Sequence, residues 1–132
     1  MVATMTAPTP RVTHKILVVD DSPTERFYVA DMLQRKGYKV ITAENCDDLL
    51  ARIKIEKPSA IVMDVVMPGA SGYQMTRAIS RDPETRHIPV VLCTSKSNET
   101  DRIWGLRQGA REYLIKPVRA EQLLATIASL LK

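Results

Sequence analysis

Five polar residues stand where apolar segments of the chain end, and their side chains suit one kind of chemistry. Three are carboxylates, one is a hydroxyl and one is an amine: Asp20, Asp21, Asp64, Thr94 and Lys116. Three carboxylates at one edge repel each other, so they require a cation, and Mg²⁺ prefers such oxygen ligands. A carboxylate can attack phosphorus while a metal, a lysine and a hydroxyl stabilise the phosphoryl oxygens. The set therefore indicates phosphoryl transfer.

Taken singly, most of these residues have an ordinary structural explanation. An aspartate pair suits a turn before a helix, a threonine suits a strand end, and a lysine can extend its amine to solvent. Asp64 is the exception because it lies within the apolar segment IVMDVVM. An unpaired carboxylate buried there would be costly. The occurrence of all five at strand ends is what favours a functional site.

The segments that must position these residues alternate between apolar, β-branched runs and amphipathic stretches. A first helix is predicted from Pro23, with Ser22 and Glu25 forming a capping box and Gly37 ending it. The proline and glycine content of residues 65–72 predicts a loop there. Strands are predicted at 15–20, 38–43, 59–64, 88–94 and 112–116, and the later helices at 47–56, 73–81, 99–108 and 121–131.

Five strands that alternate with five helices predict an α/β fold, with a parallel sheet covered by helices on both faces. The second strand, YKVITA, alternates in polarity and is expected at an edge. Ligands of such sheets bind outside the carboxyl ends of the strands. All five polar residues fall at those ends, so we expect them to converge.

Composition limits the class of protein. The chain has 132 residues, a net charge of +4 with scattered basic residues, and two cysteines without metal-type spacing, Cys46 and Cys93. These features predict one domain, no nucleic-acid partner and a cytoplasmic location. We expect neither a signal peptide nor a membrane span. Residues 1–13, rich in Thr, Ala and Pro, are predicted to be a flexible tail before a domain at 14–132.

The motifs VVDDS, IVMDVVMPG, LCTS and YLIKP resemble those of response-regulator receiver domains, over residues 15–132. The separations of 94 − 64 = 30 and 116 − 94 = 22 residues agree with that resemblance. It implies the (βα)5 flavodoxin/CheY-like fold with strand order 2-1-3-4-5. It also implies a signalling module rather than an enzyme.

The resemblance assigns a role to each site residue. Asp64 would be the phosphoacceptor, and Thr94 and Lys116 would hold the phosphoryl group. Asp20, Asp21, Asp64 and the backbone carbonyl of Val66 would bind Mg²⁺. Tyr113 would be a switch aromatic that turns inward when Thr94 moves toward the phosphoryl group. The Lys116–Pro117 bond would be cis.

The segment ETDRIWGLRQGA further resembles PilG/PilH-type twitching-motility regulators, which are stand-alone CheY-like receivers. That resemblance implies a chemotaxis-type histidine kinase as phosphodonor. It also implies a downstream protein partner on the surface of helix 4, strand 5 and helix 5, and a chain that is a monomer or a weak dimer. A phosphate sink and a flagellar CheY-like regulator remain alternatives.

Two other classes of protein are less well supported. A small aspartyl-phosphate phosphatase would carry a D-x-D pattern, whereas Asp20 and Asp21 are adjacent. A flavodoxin-like electron carrier would need a Ser/Thr/Gly-rich phosphate loop after the first strand, and DDSPTER is not one. Phosphorylation-controlled signalling is therefore the leading hypothesis.

Overall fold

Strands and helices alternate along the part of the chain that the structure, a computed structural model, describes, residues 13–132. The predicted tail lies outside the described residues except for Thr13. The elements are β1 (Lys15–Val19), α1 (Pro23–Arg35), β2 (Lys39–Ala43), α2 (Leu49–Glu56), β3 (Ala60–Met63), α3 (Gly72–Arg81), β4 (Val90–Thr94), α4 (Glu99–Arg107), β5 (Glu112–Ile115) and α5 (Ala120–Leu130).

The five strands form one parallel sheet in the order β2-β1-β3-β4-β5, which confirms the predicted fold class and strand order. β1, β3 and β4 are almost wholly buried, whereas β2 is only partly buried and lies at an edge, as its alternating polarity predicts. β2 lies on one side of β1, whereas β3, β4 and β5 follow on the other side, so the order in which strands are added reverses between β1 and β3. The crevice at the carboxyl ends of those two strands is the position where ligands bind in such folds.

Two hydrophobic cores lie on opposite faces of the sheet because successive strand side chains point in opposite directions. Leu17 and Val19 of β1 join the core that α2 and α3 cover, which includes Ile53 and Ile79. The alternate positions of β1 join the second core, to which α1 and α5 contribute Leu33, Leu123 and Ile127. Burial on both faces holds the strand ends in fixed relative positions.

The cap of α1 and the start of α2 differ from the sequence prediction. The predicted capping box of α1 is wrong: the Ser22 hydroxyl accepts from the Glu25 amide at 3.3 Å, but the Glu25 carboxylate pairs with Lys116 instead of returning to Ser22. α2 begins two residues later than predicted because Asp48 is left-handed, with φ 52°. α3 is the helix that carries a complete capping box, formed by Ser71 and Gln74.

Gly72, the first residue of α3, is packed directly against the backbone of the predicted phosphoacceptor. Its amide donates to the Val65 carbonyl at 2.8 Å. A Cβ atom at this position would lie 2.2 Å from the carbonyl oxygen of Asp64, which a side chain cannot approach so closely. The glycine is therefore what allows α3 to start against the site loop.

We expect Gly72→Ala to destabilise the chain by about 3 kcal/mol, the upper end for overpacking, because the clash is with backbone. Urea unfolding measures the loss. Gly37→Ala is the matched control, since its Cβ would meet no atom within 4 Å and only the positive φ of 102° opposes it. That strain costs about 1–2 kcal/mol. A loss at Gly72 no larger than at Gly37 would contradict the prediction.

Candidate functional site

Three carboxylates converge at the carboxyl ends of β1 and β3. Asp20, Asp21 and Asp64 each offer a ligand oxygen, and these oxygens all lie within 4.8 Å of one another. Asp20 is 4% exposed and Asp64 is partly buried, whereas Asp21 is open to solvent. The structure thus brings together the acidic residues that the sequence singles out, and the arrangement suits a hard divalent cation.

Asp20 is fixed by four contacts. Its Oδ1 accepts from the Ser22 amide at 2.9 Å, and its Oδ2 lies 2.8 Å from Lys116 Nζ. Its amide donates to the Ala43 carbonyl at 3.0 Å, and its own carbonyl accepts from Arg26 at 2.7 Å. The start of α1 therefore holds this carboxylate in one orientation, so a ligand would meet an oxygen that is already positioned.

Asp64 divides its two oxygens between the backbone and Lys116. Oδ1 accepts from the Val65 amide at 2.7 Å and from the Val66 amide at 3.4 Å, while Oδ2 lies 3.4 Å from Lys116 Nζ. Burial raises the pKa of Asp64, and the charge of Asp20 adds to this, although Lys116 opposes both. Val66 lies in the exposed loop beside it, and the role of its carbonyl as a metal ligand stays a prediction.

Lys116 is the cation at the centre of the cluster. Besides Asp20 and Asp64, its Nζ pairs with Glu25 of α1 at 2.5 Å. Burial alone would lower its pKa, but hydrogen bonds to Asp20 and Glu25 outweigh burial and raise the pKa above its ordinary value. The lysine therefore stays charged at neutral pH. The peptide bond from Lys116 to Pro117 is cis, as predicted.

Thr94 lies at the end of β4, beside the lysine in the sheet. It is fully buried, and its carbonyl accepts from the Lys116 amide at 2.9 Å. Its Oγ1 accepts from the Lys96 amide at 3.3 Å. A hydroxyl that accepts in this contact keeps its own proton for a second partner. Thr94 can therefore donate to an oxygen placed at the strand ends.

Tyr113, the predicted switch aromatic, points inward in this structure. The residue is only 7% exposed and belongs to the core under α2 and α3. Its hydroxyl donates to the Lys96 carbonyl at 2.9 Å and lies 3.3 Å from the hydroxyl of Tyr73. The loop that carries Lys96 thus connects the Tyr113 ring to the Thr94 hydroxyl.

A search with protein-family models matches residues 16–128 to the response regulator receiver domain. The chain belongs to the response regulator receiver family. The receiver is 51% identical to Protein PilH of Pseudomonas aeruginosa over 117 aligned residues. The aligned region covers 89% of this chain and 97% of PilH. It is 37% identical to the phosphate regulon transcriptional regulatory protein PhoB of the same organism, over 89% of this chain but 51% of PhoB.

Solved structures give the same result. The receiver superposes on a putative response regulator from Chloroflexus aurantiacus with a TM-score of 0.87 and 29% identity, covering 91% of this chain and 98% of that one. It superposes on the chemotaxis response regulator CheY4 of Vibrio cholerae with a TM-score of 0.84 and 31% identity, covering 91% and 100%. The CheY-like fold is therefore shown by both sequence and structure.

Three residues of the receiver site are absent from the sequence prediction of the site. Glu25 had a predicted local role as a helix cap, and Arg26 and Tyr73 had none. Glu25 contacts Lys116, Arg26 contacts the Asp20 carbonyl, and Tyr73 contacts Tyr113. The position of Glu25 and Arg26 in the first turn of the helix that follows the acidic pair was the available signal, whereas no sequence feature links Tyr73 to Tyr113.

Cys93 is a buried core thiol, as the apolar sequence around it indicates. Burial raises its pKa to about 12, so it stays protonated beside the site. Cys46 is partly buried, and burial raises its pKa as well. Neither cysteine is therefore placed to act as a thiolate nucleophile at neutral pH.

Among residues 13–132, no helix is both long enough and apolar enough to cross a membrane.

Proposed function

We propose that this receiver accepts a phosphoryl group on Asp64 from a histidine kinase of the chemotaxis type. The observation that carries the proposal is the geometry around that carboxylate. Asp64 lies at the carboxyl edge of the sheet within the acidic cluster, and Lys116 stands 3.4 Å from its Oδ2. A fixed cation at this distance can stabilise the charge that moves onto phosphoryl oxygens.

In the proposed step, a carboxylate oxygen of Asp64 attacks the phosphorus of a phosphohistidine. The new O–P bond forms as the N–P bond breaks, and the electron pair of that bond returns to the imidazole nitrogen. Lys116 and the Thr94 hydroxyl donate to the phosphoryl oxygens. The phosphoryl group then stays on Asp64 as a signal, so the chain is a phosphorylated intermediary and not an enzyme.

The proposed Mg²⁺ site consists of Asp20, Asp21, Asp64 and the carbonyl of Val66. The clustered carboxylate oxygens fit this ion because it takes hard oxygen ligands and keeps several waters. Bound Mg²⁺ neutralises negative charge on the phosphoryl group. Asp21 is exposed and forms the open side of the site, where a phosphodonor would approach.

The proposed output surface consists of α4, β5 and α5. Ile103 and Trp104 of α4 and Ile115 of β5 are large apolar residues that remain exposed, Trp104 to 49%. Exposed apolar side chains of this kind suit a protein partner. This observation favours a regulator with a downstream partner over a phosphate sink.

The identity to PilH supports a role in type IV pilus and twitching motility, as the PilG/PilH resemblance implies. A flagellar CheY-like regulator is the alternative, and it differs in the partner that the output surface meets. As part of the same proposal the chain works in the cytoplasm, where its two free thiols stay reduced.

The proposal is tested by intact mass spectrometry of the chain after incubation with acetyl phosphate and Mg²⁺. We expect a gain of one phosphoryl group, absent when a chelator replaces Mg²⁺. Reduction of the acyl phosphate with borohydride and peptide mapping should place the modification on the peptide that contains Asp64. Absence of any mass gain with either acetyl phosphate or a phosphorylated histidine kinase would overturn the proposal.

We also expect Mg²⁺ to stabilise the fold through Asp21. A ligand that binds only the folded state adds about 2.7 kcal/mol at 100 times its dissociation constant. Asp21→Asn should require at least about tenfold more Mg²⁺ for the same rise in melting temperature, because one charged ligand is lost, a change worth about 1.4 kcal/mol or more. Asp31→Asn is the control, since Asp31 pairs with Arg35 on α1 away from the cluster. Equal Mg²⁺ responses in the two variants would contradict the prediction.

A further inference from the structure

Two tyrosine hydroxyls meet at the inner side of α4. The Tyr113 hydroxyl donates to the Lys96 carbonyl at 2.9 Å, and the Tyr73 hydroxyl donates to the Asp101 carbonyl at 3.1 Å. The two oxygens are 3.3 Å apart. Each hydroxyl has one proton, so two protons serve three contacts. When Tyr113 donates to Lys96, the single Tyr73 proton is divided between two acceptors, the Asp101 carbonyl and the oxygen of Tyr113.

The ring of Tyr113 occupies a slot that α4 leaves open at Gly105. A Cβ atom at Gly105 would lie 3.0 Å from Cδ1 of Tyr113 and 3.0 Å from Cδ1 of Leu92. Gly105 is itself buried. The inward position of the ring therefore depends on a close helix approach on one side and on the hydroxyl contacts at its tip.

Tyr73 is also joined to the backbone of the proposed phosphoacceptor. It directly follows Gly72, which packs against the Asp64 carbonyl and whose amide donates to Val65. A shift of the Asp64 backbone would have to move Gly72, because their contact leaves no space. Tyr73 would then move with the start of α3.

We propose that Tyr73 is a positioning residue for the switch aromatic: its hydroxyl favours the inward position of Tyr113 and links the loop after Asp64 to α4. This inference rests on the proposed function, since it deepens the account of the same site. The proposed connection runs from Asp64 to Tyr113 through α3, and it is separate from the one that runs through Thr94 and Lys96.

The test measures how exposed Tyr113 is in solution. The chain is labelled with 3-fluorotyrosine, which gives one ¹⁹F resonance for each of its four tyrosines. A soluble gadolinium chelate broadens each resonance according to its exposure. We expect Tyr73→Phe to increase the exposed population of Tyr113 about two- to tenfold, because one net hydrogen bond is worth a factor of that size. Unchanged broadening of the Tyr113 resonance would overturn the proposal.

Two further variants calibrate the measurement. Tyr38→Phe removes a phenol hydroxyl from the partly buried tyrosine beside the other core, and it should leave the Tyr113 resonance unchanged. Gly105→Ala crowds the ring from the α4 side and should expose Tyr113 even when Tyr73 is present. A Tyr113 resonance that responds equally to Tyr38→Phe and Tyr73→Phe would show that Tyr73 has no specific role.

A double-mutant cycle gives a second, independent measurement. Tyr73→Phe and Tyr113→Phe are combined, and the unfolding equilibrium constants of the four chains are compared. We expect a coupling of about two- to tenfold between the two hydroxyls, and additive effects would overturn the proposal. Neither measurement needs phosphorylation. A failure here is therefore distinct from a failure of Asp64 to accept a phosphoryl group, which is read from the mass.

Discussion

Asp64→Asn is expected to abolish phosphoryl incorporation and, in the absence of metal, to stabilise the fold. The amide lacks the anionic oxygen that would attack phosphorus, so the variant should show no mass gain with acetyl phosphate and Mg²⁺. The same substitution removes a negative charge that is partly buried beside Asp20. Since burial raises the pKa of Asp64, the ionised carboxylate is less favourable in the folded chain than in the unfolded chain.

The stability effect of Asp64→Asn depends on pH in a direction that can be worked out. Well below the unfolded-state pKa of about 4 the carboxyl is protonated in both states, so its charge costs nothing. As the pH rises through the unfolded-state pKa toward the raised folded-state pKa, the folded chain binds more protons than the unfolded chain. The stability contributed by this group therefore falls with increasing pH, and the full penalty is present above the folded-state pKa.

Urea unfolding in a chelating buffer at about pH 4 and pH 7 tests this prediction. The stability advantage of Asp64→Asn over the unmodified chain should be larger at pH 7. Asp31→Asn is the control, because Asp31 forms an exposed helical ion pair with Arg35 at 2.9 Å and should gain no stability. Retained phosphoryl incorporation in Asp64→Asn would show that another residue is the acceptor.

The fold was predictable from the sequence because its signals are local and repeated. Apolar, β-branched runs mark the buried strands, and the polarity of YKVITA marks β2 as an edge. Gly37 and Gly109 end helices with positive φ angles of 102° and 114°. The alternation of strands and helices then specifies a parallel sheet, and a parallel sheet places its strand ends along one edge. That is why the acidic cluster could be anticipated.

The partner of Glu25 could not be predicted from the residues around it. Ser22, Pro23 and Glu25 satisfy the sequence pattern for a capping box, and Ser22 does cap the helix. The Glu25 carboxylate instead pairs with Lys116, 91 residues further along the chain by 116 − 25, because a partly buried cation offers a stronger partner than a backbone amide. No pattern within α1 reports the position of Lys116.

The tyrosine pair was unpredictable for a similar reason. Tyr73 and Tyr113 are 40 residues apart and lie on a helix and a strand that are not consecutive in the chain. In the sequence Tyr73 is only an amphipathic residue near the start of α3. Its contact with Tyr113 depends on how α3 and α4 pack side by side, which helical periodicity does not specify.

Lys116→Met is expected to cause the largest loss of stability of any single substitution in the site. Lys116 is 14% exposed and pairs with Asp20, Glu25 and Asp64. Removing one partner from a buried ion pair costs about 3–5 kcal/mol, because the remaining charge is left uncompensated. Methionine keeps the length of the side chain, so most of the loss would come from the charge.

Lys15→Met is the matched control for this charge deletion. Lys15 pairs with Glu56 at 3.0 Å, but both side chains are about one-third exposed. Such pairs contribute about 0–1 kcal/mol. Urea unfolding in a chelating buffer should therefore show a much larger loss for Lys116→Met than for Lys15→Met. Equal losses of stability would mean that Lys116 does not offset the repulsion among the site carboxylates.

Mg²⁺ separates an electrostatic origin of the Lys116→Met loss from a packing origin. If the loss comes from repulsion among Asp20, Asp21 and Asp64, then a divalent cation that these residues bind restores stability. Mg²⁺ should then stabilise Lys116→Met more than it stabilises the unmodified chain, since the lysine no longer competes for the same oxygens. A packing defect would not respond to the ion.

Phosphoryl incorporation in Lys116→Met should nevertheless be about 10²–10³-fold slower than in the unmodified chain, even with Mg²⁺ present. The metal does not replace the donor that Lys116 directs at the phosphoryl oxygens.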